Sequence, residues 1–476
     1  MDPSWTSLLP PLVAIGLAVA TRQVYLSLGA GVWLGYTLLA GGNPAAGLGG
    51  AIDGLVAVFA DGGNTKVLLF TLVIGALIAT VEASGGVRGF VDWIERRGIV
   101  RSPRGARMLA ALVGVVVFIE SNITCLVAGA VSRPLFDRHR SSREMLAYLI
   151  DSTSAPVCIL IPLNAWGAYV LALLADQGVS EPIRLFVEAV PMNLYAVAAL
   201  LLALGVAWTG WAFGPMRAAE ARAATGRIAD DDAVPAVDER ALIPAPLAHV
   251  APRAINMLLP LAVLVAMMPV GLLVTGEGDL FAGSGSTSVL WAVLAGLATA
   301  WALLLAQRRT DGPGRAMSVT ELTALGLRGA GGMLGMALIL LLALALGSVT
   351  RELGAGPFVA DLLAGALPPA VFLPLIFLTG AVVSFSTGTS WGTFAILIPI
   401  AVPAAAAAGL PAAPFLAASL AGGVFGDHAS PISDTTIMSS LAAATDHVAH
   451  VRTQLPYALA AGGVALAGFA VIGAFL

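Results

Sequence analysis

The chain has 476 residues, of which 58% are apolar and 11% are charged, and its formal net charge is −4. A soluble domain carries about twice this charged fraction, so the composition excludes a water-soluble globule. Apolar runs close to the roughly 20 residues of a membrane-crossing helix recur along the chain, whereas a β-barrel would show segments of about 10 residues alternating in polarity. We predict an all-α integral membrane protein whose partner is the lipid bilayer, and we expect no nucleic-acid partner.

Apolar runs give the predicted membrane spans. In the first half they cover residues 8–21, 23–41, 65–84, 143–175 and 181–213. In the second half they cover residues 255–275, 285–307, 332–350, 412–440 and 455–475. Two further apolar segments, 105–136 and 370–409, are interrupted near the middle by polar and small residues. Each is predicted to be a re-entrant helical hairpin, which gives about 10 spans plus two hairpins.

Arginines on both sides of the first hairpin support this prediction. They are Arg96, Arg97, Arg101, Arg104 and Arg107 before it, and Arg133, Arg138, Arg140 and Arg143 after it. A re-entrant segment keeps both groups in the cytoplasm, as the positive-inside rule prefers. The same rule places the 215–252 linker inside and both termini outside a bacterial inner membrane. The linker has no apolar period and is expected to be a mobile loop.

The two halves, 1–214 and 253–476, show the same order of features. Each has an apolar span, a glycine-rich turn, a hairpin with a polar tip, and then a span broken by polar residues and proline. The broken spans are 143–175 and 412–440. Because the first hairpin is predicted inside and the second outside, the halves form two inverted-topology repeats. Paired broken segments in inverted halves indicate a transporter site, with chance similarity between apolar halves as the alternative.

Side-chain oxygens cluster at the two hairpin tips and the two breaks. They belong to Ser121, Asn122, Thr124, Ser152, Thr153, Ser154, Thr387, Thr389, Ser390, Thr393, Ser430, Ser433, Thr435 and Thr436. A single Ser or Thr in an apolar helix is explained by a bond to its own backbone. Four clusters at corresponding places instead predict oxygens that replace the hydration shell of an ion or substrate, most simply sodium.

Acidic residues strengthen this prediction. Asp151, Asp427 and Asp434 stand in apolar spans, and Glu120 is beside the first tip. An ionised carboxylate at mid-membrane costs several kcal/mol unless it is paired or wetted, so these are predicted ion-binding and proton-coupling residues. A carboxylate that holds either a proton or Na+ gives the simplest chemistry for cation/proton antiport. Structural pairing with an Arg or with His428 is the alternative.

The histidines and cysteines of the chain, and its lack of enzyme motifs, give little indication of catalysis. His428 is either a pH sensor or a hydrogen-bond partner of its neighbouring Asp. The remaining histidines, which are His139, His249, His447 and His450, are expected to be solvated. Cys125 and Cys158 are predicted to be buried free thiols. No P-loop, CxxC or HExxH motif occurs, and a Ser–His–Asp grouping near Asp427 is the sole enzyme candidate. We therefore expect no enzyme and no cofactor, with Na+ and H+ as transported ions.

Two strings of the second half, GTSWGT at 388–393 and GDHASPISDTT at 426–436, resemble the hallmark segments of the NhaC-type sodium/proton antiporters. The first-half strings ESN at 120–122 and DSTSAPV at 151–157 resemble a branch of the same family. The resemblance covers most of the chain. It implies a secondary active sodium/proton antiporter that works by alternating access.

The family is similar to the divalent-anion/sodium symporters of the wider ion transporter superfamily, which have inverted repeats with Ser-Asn-Thr hairpin tips. Residues 121–124 are close to that pattern, whereas residues 387–390 depart from it. The superfamily resemblance implies a homodimer. Since some relatives exchange malate for lactate or carry amino acids, the alternative function is sodium- or proton-coupled transport of a small carboxylate or amino acid.

Overall fold

The computed structural model describes residues 5–21, 23–97, 100–118, 121–228, 247–355, 357–358 and 368–476. These residues form α-helices, two short 3-10 helices and connecting turns, with one isolated β-bridge between Arg308 and Arg315. The all-helical class predicted from composition is confirmed.

The helices of the first half follow one another through short turns. They are α1 (Leu9–Thr21), α2 (Val24–Leu39), α3 (Pro44–Ala60), α4 (Gly62–Ala83), α5 (Gly86–Arg97), α6 (Pro103–Val116), α7 (Ser121–Arg138), α8 (Arg143–Ser152), α9 (Ala155–Leu160), α10 (Ala165–Asp176), α11 (Pro182–Ala189) and α12 (Leu194–Thr209). A helix of the linker, α13 (Pro215–Ala224), comes next.

The helices of the second half follow the linker. They are α14 (Ile255–Thr275), α15 (Gly285–Ala306), α16 (Val319–Gly332), α17 (Leu334–Glu352), α18 (Pro369–Thr387), α19 (Ser390–Ala407), α20 (Ala412–Ala429), α21 (Asp434–Ala443) and α22 (His447–Ala474). The division at 1–214, 215–252 and 253–476 stays a prediction.

Eight helical segments of the described chain are long and apolar enough to cross a membrane, or up to 10 if each strongly bent pair is one span. One of the eight is the broken segment Arg143–Asp176, and α18 and α19 are two others. These spans agree with the multi-pass membrane protein predicted from the sequence.

Helices α3 and α16 lie outside the predicted spans and hairpins, as do α5 and the linker helix α13. Helix α3 follows α2 at an angle of 117° and has 17 residues that include Asp53, so it is shorter than a full membrane span. Helix α16 opens with a capping box, in which Ser318 and Glu321 exchange hydrogen bonds. The Ser-x-x-Glu pattern is a sequence signal for a helix start that could have identified α16.

In each predicted hairpin, the outer ends of the two arms lie on the same side of the bundle. Arg107 of α6 donates to the Ala207 carbonyl near the end of α12, and the end of α7 contacts Arg143 through Asp137. We call this side, which carries the linker, the linker face. The α18–α19 hairpin instead has its ends on the opposite side, the distal face. There the Pro369 carbonyl of α18 lies close to Gly473, near the end of α22.

The linker begins as a helix, which corrects the expectation of a mobile loop throughout. Helix α13 docks on α8: Glu220 accepts hydrogen bonds from the Ser142 backbone at 2.8 Å and its hydroxyl at 2.6 Å, and Arg222 pairs with Glu144 at 2.5 Å. Alanines, arginines and a glutamate favour a helix even without an apolar stripe. Residues 229–246 lie outside the described residues.

Candidate functional site

The first helix break lies between α8 and α9. Pro156 has no backbone N–H to bond the preceding turn, so a continuous helix would lose a hydrogen bond there. Thr153 donates to the Leu149 carbonyl at 2.7 Å and Ser154 to the Asp151 carbonyl at 2.9 Å. Gly114 of the first hairpin lies directly against Thr153, where any Cβ would collide. The break is therefore closed by its own hydroxyl groups and by the hairpin arm.

Asp151, in the last turn of α8 just before this break, is completely buried. Its Oδ2 accepts hydrogen bonds from Gln454 Nε2 at 2.6 Å and Thr436 Oγ1 at 3.1 Å. The ring nitrogens Nε2 of His428 and His450 lie 4.0 and 3.9 Å from the same oxygen. Its Oδ1 has no hydrogen-bond donor among the described residues. A buried carboxylate oxygen without a donor is costly when ionised, and a proton or a cation removes that cost.

The second break separates α20 from α21. Helix α20 ends at Ala429, Ser430 is extended, and Pro431 follows before Ser433 caps α21 by accepting the Thr436 N–H. Ser430 donates to the Phe385 carbonyl at 2.7 Å. The second hairpin is therefore fastened to the second break.

Asp427, half a turn before this break, is buried and has donors for both oxygens. Oδ2 accepts from the Ser390 hydroxyl at 2.5 Å and from the Ser390 backbone N–H at 3.2 Å, and Oδ1 accepts from Ser433 Oγ at 2.6 Å. Both hydroxyls have second partners. Ser390 Oγ lies 3.2 Å from the Gly423 carbonyl, and Ser433 Oγ lies 3.1 Å from Thr435 Oγ1. They can therefore turn their hydrogens away from Asp427 and present oxygen lone pairs beside it.

The first turn of α21 joins the two carboxylates. Ser433 contacts Asp427, and Thr436, three residues further along, contacts Asp151. The partial positive charge at the start of a helix favours anions there. A change in charge at either carboxylate is therefore felt at the other through one helical turn.

His428 connects the two breaks. Its Nε2 lies 3.1 Å from Ser152 Oγ and its Nδ1 lies 2.6 Å from the Tyr195 hydroxyl, and all three side chains are buried. The Gln454 amide nitrogen also donates to the His428 carbonyl at 2.7 Å. The ring thus bonds Ser152 and Tyr195, and not the neighbouring Asp427 expected from the sequence; a pH-sensing role for His428 stays a prediction.

The remaining predicted site residues bond their own segment, stand at a helix end or lie outside the described residues. Thr124, Thr387 and Thr393 bond the backbone of their own segment, at Val117, Val383 and Thr389. Ser121 is buried at the start of α7, and Thr389 is the N-cap residue of α19. Asp434 is exposed at the first residue of α21, where it accepts the Thr435 N–H at 2.8 Å. Glu120 and the side chain of Asn122 lie outside the described residues.

Sequence reasoning missed Gln454, Tyr195 and His450 as neighbours of Asp151 and His428. The expectation that His450 is solvated is wrong, since this side chain is 0% exposed. The prediction started the last span at 455, one residue after Gln454, whereas α22 begins at His447. The pair His450 and Gln454, one turn apart, was the available signal because both project from the same helix face.

A cavity of about 660 Å³ opens on the distal face. Its lining contains Asn64 of α4, Asp176 of α10, and Arg351 and Glu352 of α17. Trp391, next to Ser390, contacts Tyr169, with ring centroids 4.7 Å apart and the Tyr169 hydroxyl donating to the Trp391 carbonyl at 2.9 Å. Trp391 thus packs against α10.

Known structures with a similar fold are transporters. The YdaH transporter of Alcanivorax borkumensis superposes with a TM-score of 0.55 at 17% identity. The superposition covers 90% of this chain and 88% of the YdaH chain. MtrF of Neisseria gonorrhoeae, from a class of antimetabolite efflux pumps, superposes with a TM-score of 0.50 at 11% identity, covering 91% of this chain and 85% of its own. At 17% and 11% identity, these likenesses show a shared fold.

The family follows from sequence comparison. Residues 177–474 match the Na+/H+ antiporter family. An uncharacterised protein of Haemophilus influenzae is 34% identical over 98% of this chain and 90% of its own length. The chain belongs to the Na+/H+ antiporter family, as its second-half strings predicted.

Shorter matches reach members with named substrates. The arginine/ornithine antiporter ArcD of Halobacterium salinarum is 40% identical over 108 residues. The malate-2H+/Na+-lactate antiporter of Bacillus subtilis is 33% identical over 105 residues. Each match covers 22% of this chain and 22% of the relative.

Proposed function

We propose that the protein exchanges Na+ for H+ by alternating access, with Asp151 and Asp427 jointly carrying either a proton or a sodium ion. The observation that supports this most directly is Asp151, a fully buried carboxylate with one oxygen that no described residue satisfies. Protonation of Asp151 satisfies this oxygen and removes its charge from the buried site.

The sodium ion is assigned to Asp427. Its carboxylate and the hydroxyls of Ser390 and Ser433 supply oxygens within hydrogen-bond distance of one another. Within the described ranges no group of three or more His, Cys, Asp or Glu side chains is placed to hold a metal ion. A sodium site here therefore draws on hydroxyl and carbonyl oxygens, ligands that suit a hard cation.

Charge balance couples the two ions. The ionised forms of Asp151 and Asp427 repel each other across the first turn of α21, and the buried site screens this repulsion little. Sodium at Asp427 favours the ionised form of Asp151 and so releases its proton. Protonation of Asp151 weakens the field that holds sodium. Exchange rather than symport follows from this competition.

Proton flux in sealed vesicles tests the proposal. Purified protein in proteoliposomes should move protons when an outward or inward Na+ gradient is imposed, with no organic solute present. The direction of the internal pH change should reverse when the Na+ gradient reverses. Proton movement that occurs only with an added amino or dicarboxylic acid would reject sodium/proton exchange.

The second candidate function is sodium- or proton-coupled transport of a small carboxylate or amino acid, and the distal cavity favours it. A volume of about 660 Å³ falls in the range of small-molecule sites. Arg351 can bind a carboxylate, and Asp176 can bind an amino group, so the lining suits a zwitterion. Named substrates of the shorter-matching relatives fall in the same chemical classes. The same vesicles, supplied with arginine, ornithine, malate or lactate, discriminate the two functions.

A further inference from the structure

A chain of hydrogen bonds leads from Asp151 and its donor Gln454 toward the linker face. Gln454 bridges Asp151 and His450, with its Oε1 2.9 Å from His450 Nε2. His450 Nδ1 lies 2.8 Å from Ser440 Oγ, and the same hydroxyl oxygen lies 3.0 Å from His447 Nδ1. His450 and Ser440 are buried, whereas His447 is partly exposed.

The orientation of Gln454 sets the protonation of His450. The Gln454 Nε2 faces two acceptors, Asp151 Oδ2 at 2.6 Å and the His428 carbonyl at 2.7 Å, so it must be the amide nitrogen. Its Oε1 therefore faces His450 Nε2, which must carry a hydrogen. In the same way the His447 Nε2 donates to the Pro431 carbonyl at 2.6 Å. When neutral, both rings thus present a bare Nδ1 to Ser440.

Ser440 cannot satisfy all its neighbours at once. Its single hydroxyl hydrogen faces three acceptors: the Thr436 carbonyl at 2.8 Å and the Nδ1 atoms of His447 and His450. One added proton on either ring turns that ring into a donor to Ser440 and frees the hydroxyl for another acceptor. The cluster therefore has room for one extra proton, and imidazole and hydroxyl groups are suited to pass it on.

From this geometry we infer that His447, Ser440 and His450 form the proton path between Asp151 and the linker face; the inference rests on the proposed sodium/proton exchange. A proton taken up at His447 moves from its Nδ1 to Ser440 Oγ as the hydroxyl proton moves to His450 Nδ1. The Nε2 proton of His450 then passes to Asp151. Each step breaks one N–H or O–H bond and forms another, and the reverse sequence releases the proton.

Gln454 controls the last step. An amide does not relay a proton, and His450 Nε2 lies 3.9 Å from Asp151 Oδ2, about 1 Å beyond hydrogen-bond distance. Transfer therefore requires Gln454 to loosen its bridge so that ring and carboxylate approach. The titratable groups that face His450 are Asp151 on α8, His428 on α20 and His447 on its own helix. Of these, only His447 leads outward through Ser440.

The test separates proton movement from sodium movement in proteoliposomes. Exchange of ²²Na+ for unlabelled Na+ needs no proton, whereas Na+-driven pH change does. His450→Gln and His447→Gln should slow Na+-driven proton flux at least about tenfold, a modest part of what a general acid–base group contributes. Both should leave Na+/Na+ exchange within about twofold of wild type. His249→Gln, a histidine paired with Glu321 outside this network, is the matched control and should change neither flux.

Rescue of His447→Ala strengthens the test, because this residue is partly exposed and its loss leaves a small space. Imidazole added on the linker face should restore much of the lost proton flux, which no structural role for His447 predicts. The path would be overturned if His450→Gln and His447→Gln reduced Na+/Na+ exchange as much as Na+-driven proton flux. It would also be overturned if both variants kept proton flux at the wild-type rate. If the wild type itself couples no proton to sodium, the proposed exchange fails, a result distinct from failure of the path alone.

Discussion

Asp151 and Asp427 each lie just before a break in a helical segment, yet their surroundings differ. Asp427 has three donors for its two oxygens, all from serines of the second half. Asp151 takes both of its donors, Gln454 and Thr436, from the other half of the chain and leaves one oxygen without any described donor. The saturated, hydroxyl-lined carboxylate suits a cation, and the unsatisfied carboxylate beside two histidines suits a proton.

The largest expected effect separates these two roles. Asp151→Asn and Asp427→Asn should each reduce Na+-driven proton flux by about 100-fold or more, because each removes a charge that the exchange requires. Only Asp151→Asn should retain Na+/Na+ exchange, since the Asp427 oxygens remain. Both proteins should be recovered from the membrane as folded monodisperse material. Near-normal proton flux in both variants would reject the carboxylate mechanism.

Sequence patterns predicted much of the helical framework. The predicted span 255–275 coincides with α14. The predicted broken span 143–175 coincides with the 34-residue broken segment Arg143–Asp176. Such spans depend on local hydropathy, which one stretch of chain contains in full. Helix α3 is the counterexample, because its 17 residues are fewer than a full span and include Asp53.

Local sequence patterns could not predict which side chains form hydrogen bonds with one another within the site. The bonds from Asp151 to Thr436 and Gln454 join residues 285 and 303 positions apart, and that from Ser152 to His428 spans 276. No local pattern encodes which polar side chains meet across such distances. Sequence therefore singled out Asp151 and Asp427 as candidates, while packing of α8 against α21 and α22 revealed their different partners.

The next effect in size concerns the serines around Asp427. Ser390→Ala and Ser433→Ala each remove one hydroxyl oxygen beside that carboxylate, so the Na+ concentration for half-maximal exchange should rise about tenfold, equivalent to one charge-assisted bond. Ser433→Ala should also destabilise the protein by about 1 kcal/mol because it removes the N-cap of α21. Ser419→Ala is the control, since Ser419 bonds only the Phe415 carbonyl of its own helix in the described network. Unchanged sodium dependence in both variants would argue against a sodium site at Asp427.

The smallest expected effect concerns the second hairpin tip. Gly388 ends α18 with φ of +69°, and an added Cβ would meet the Ile432 carbonyl at the second break. Gly388→Ala should lower thermal stability, with the backbone alone costing about 1–2 kcal/mol. Gly205→Ala, in open space on α12, is the matched control and should be neutral or stabilising. Equal melting temperatures for the two variants would show that the tip tolerates a side chain.

Arg143 links the ends of three helices. Arg143, at the start of α8, binds the Asp137 carboxylate of α7 at 3.1 Å and the carbonyl of Ala444, just after α21, at 3.0 Å. A motion that preserves these contacts carries the ends of α7, α8 and α21 as one rigid body. Any displacement of this unit then falls at its other contacts, and not between these three helix ends.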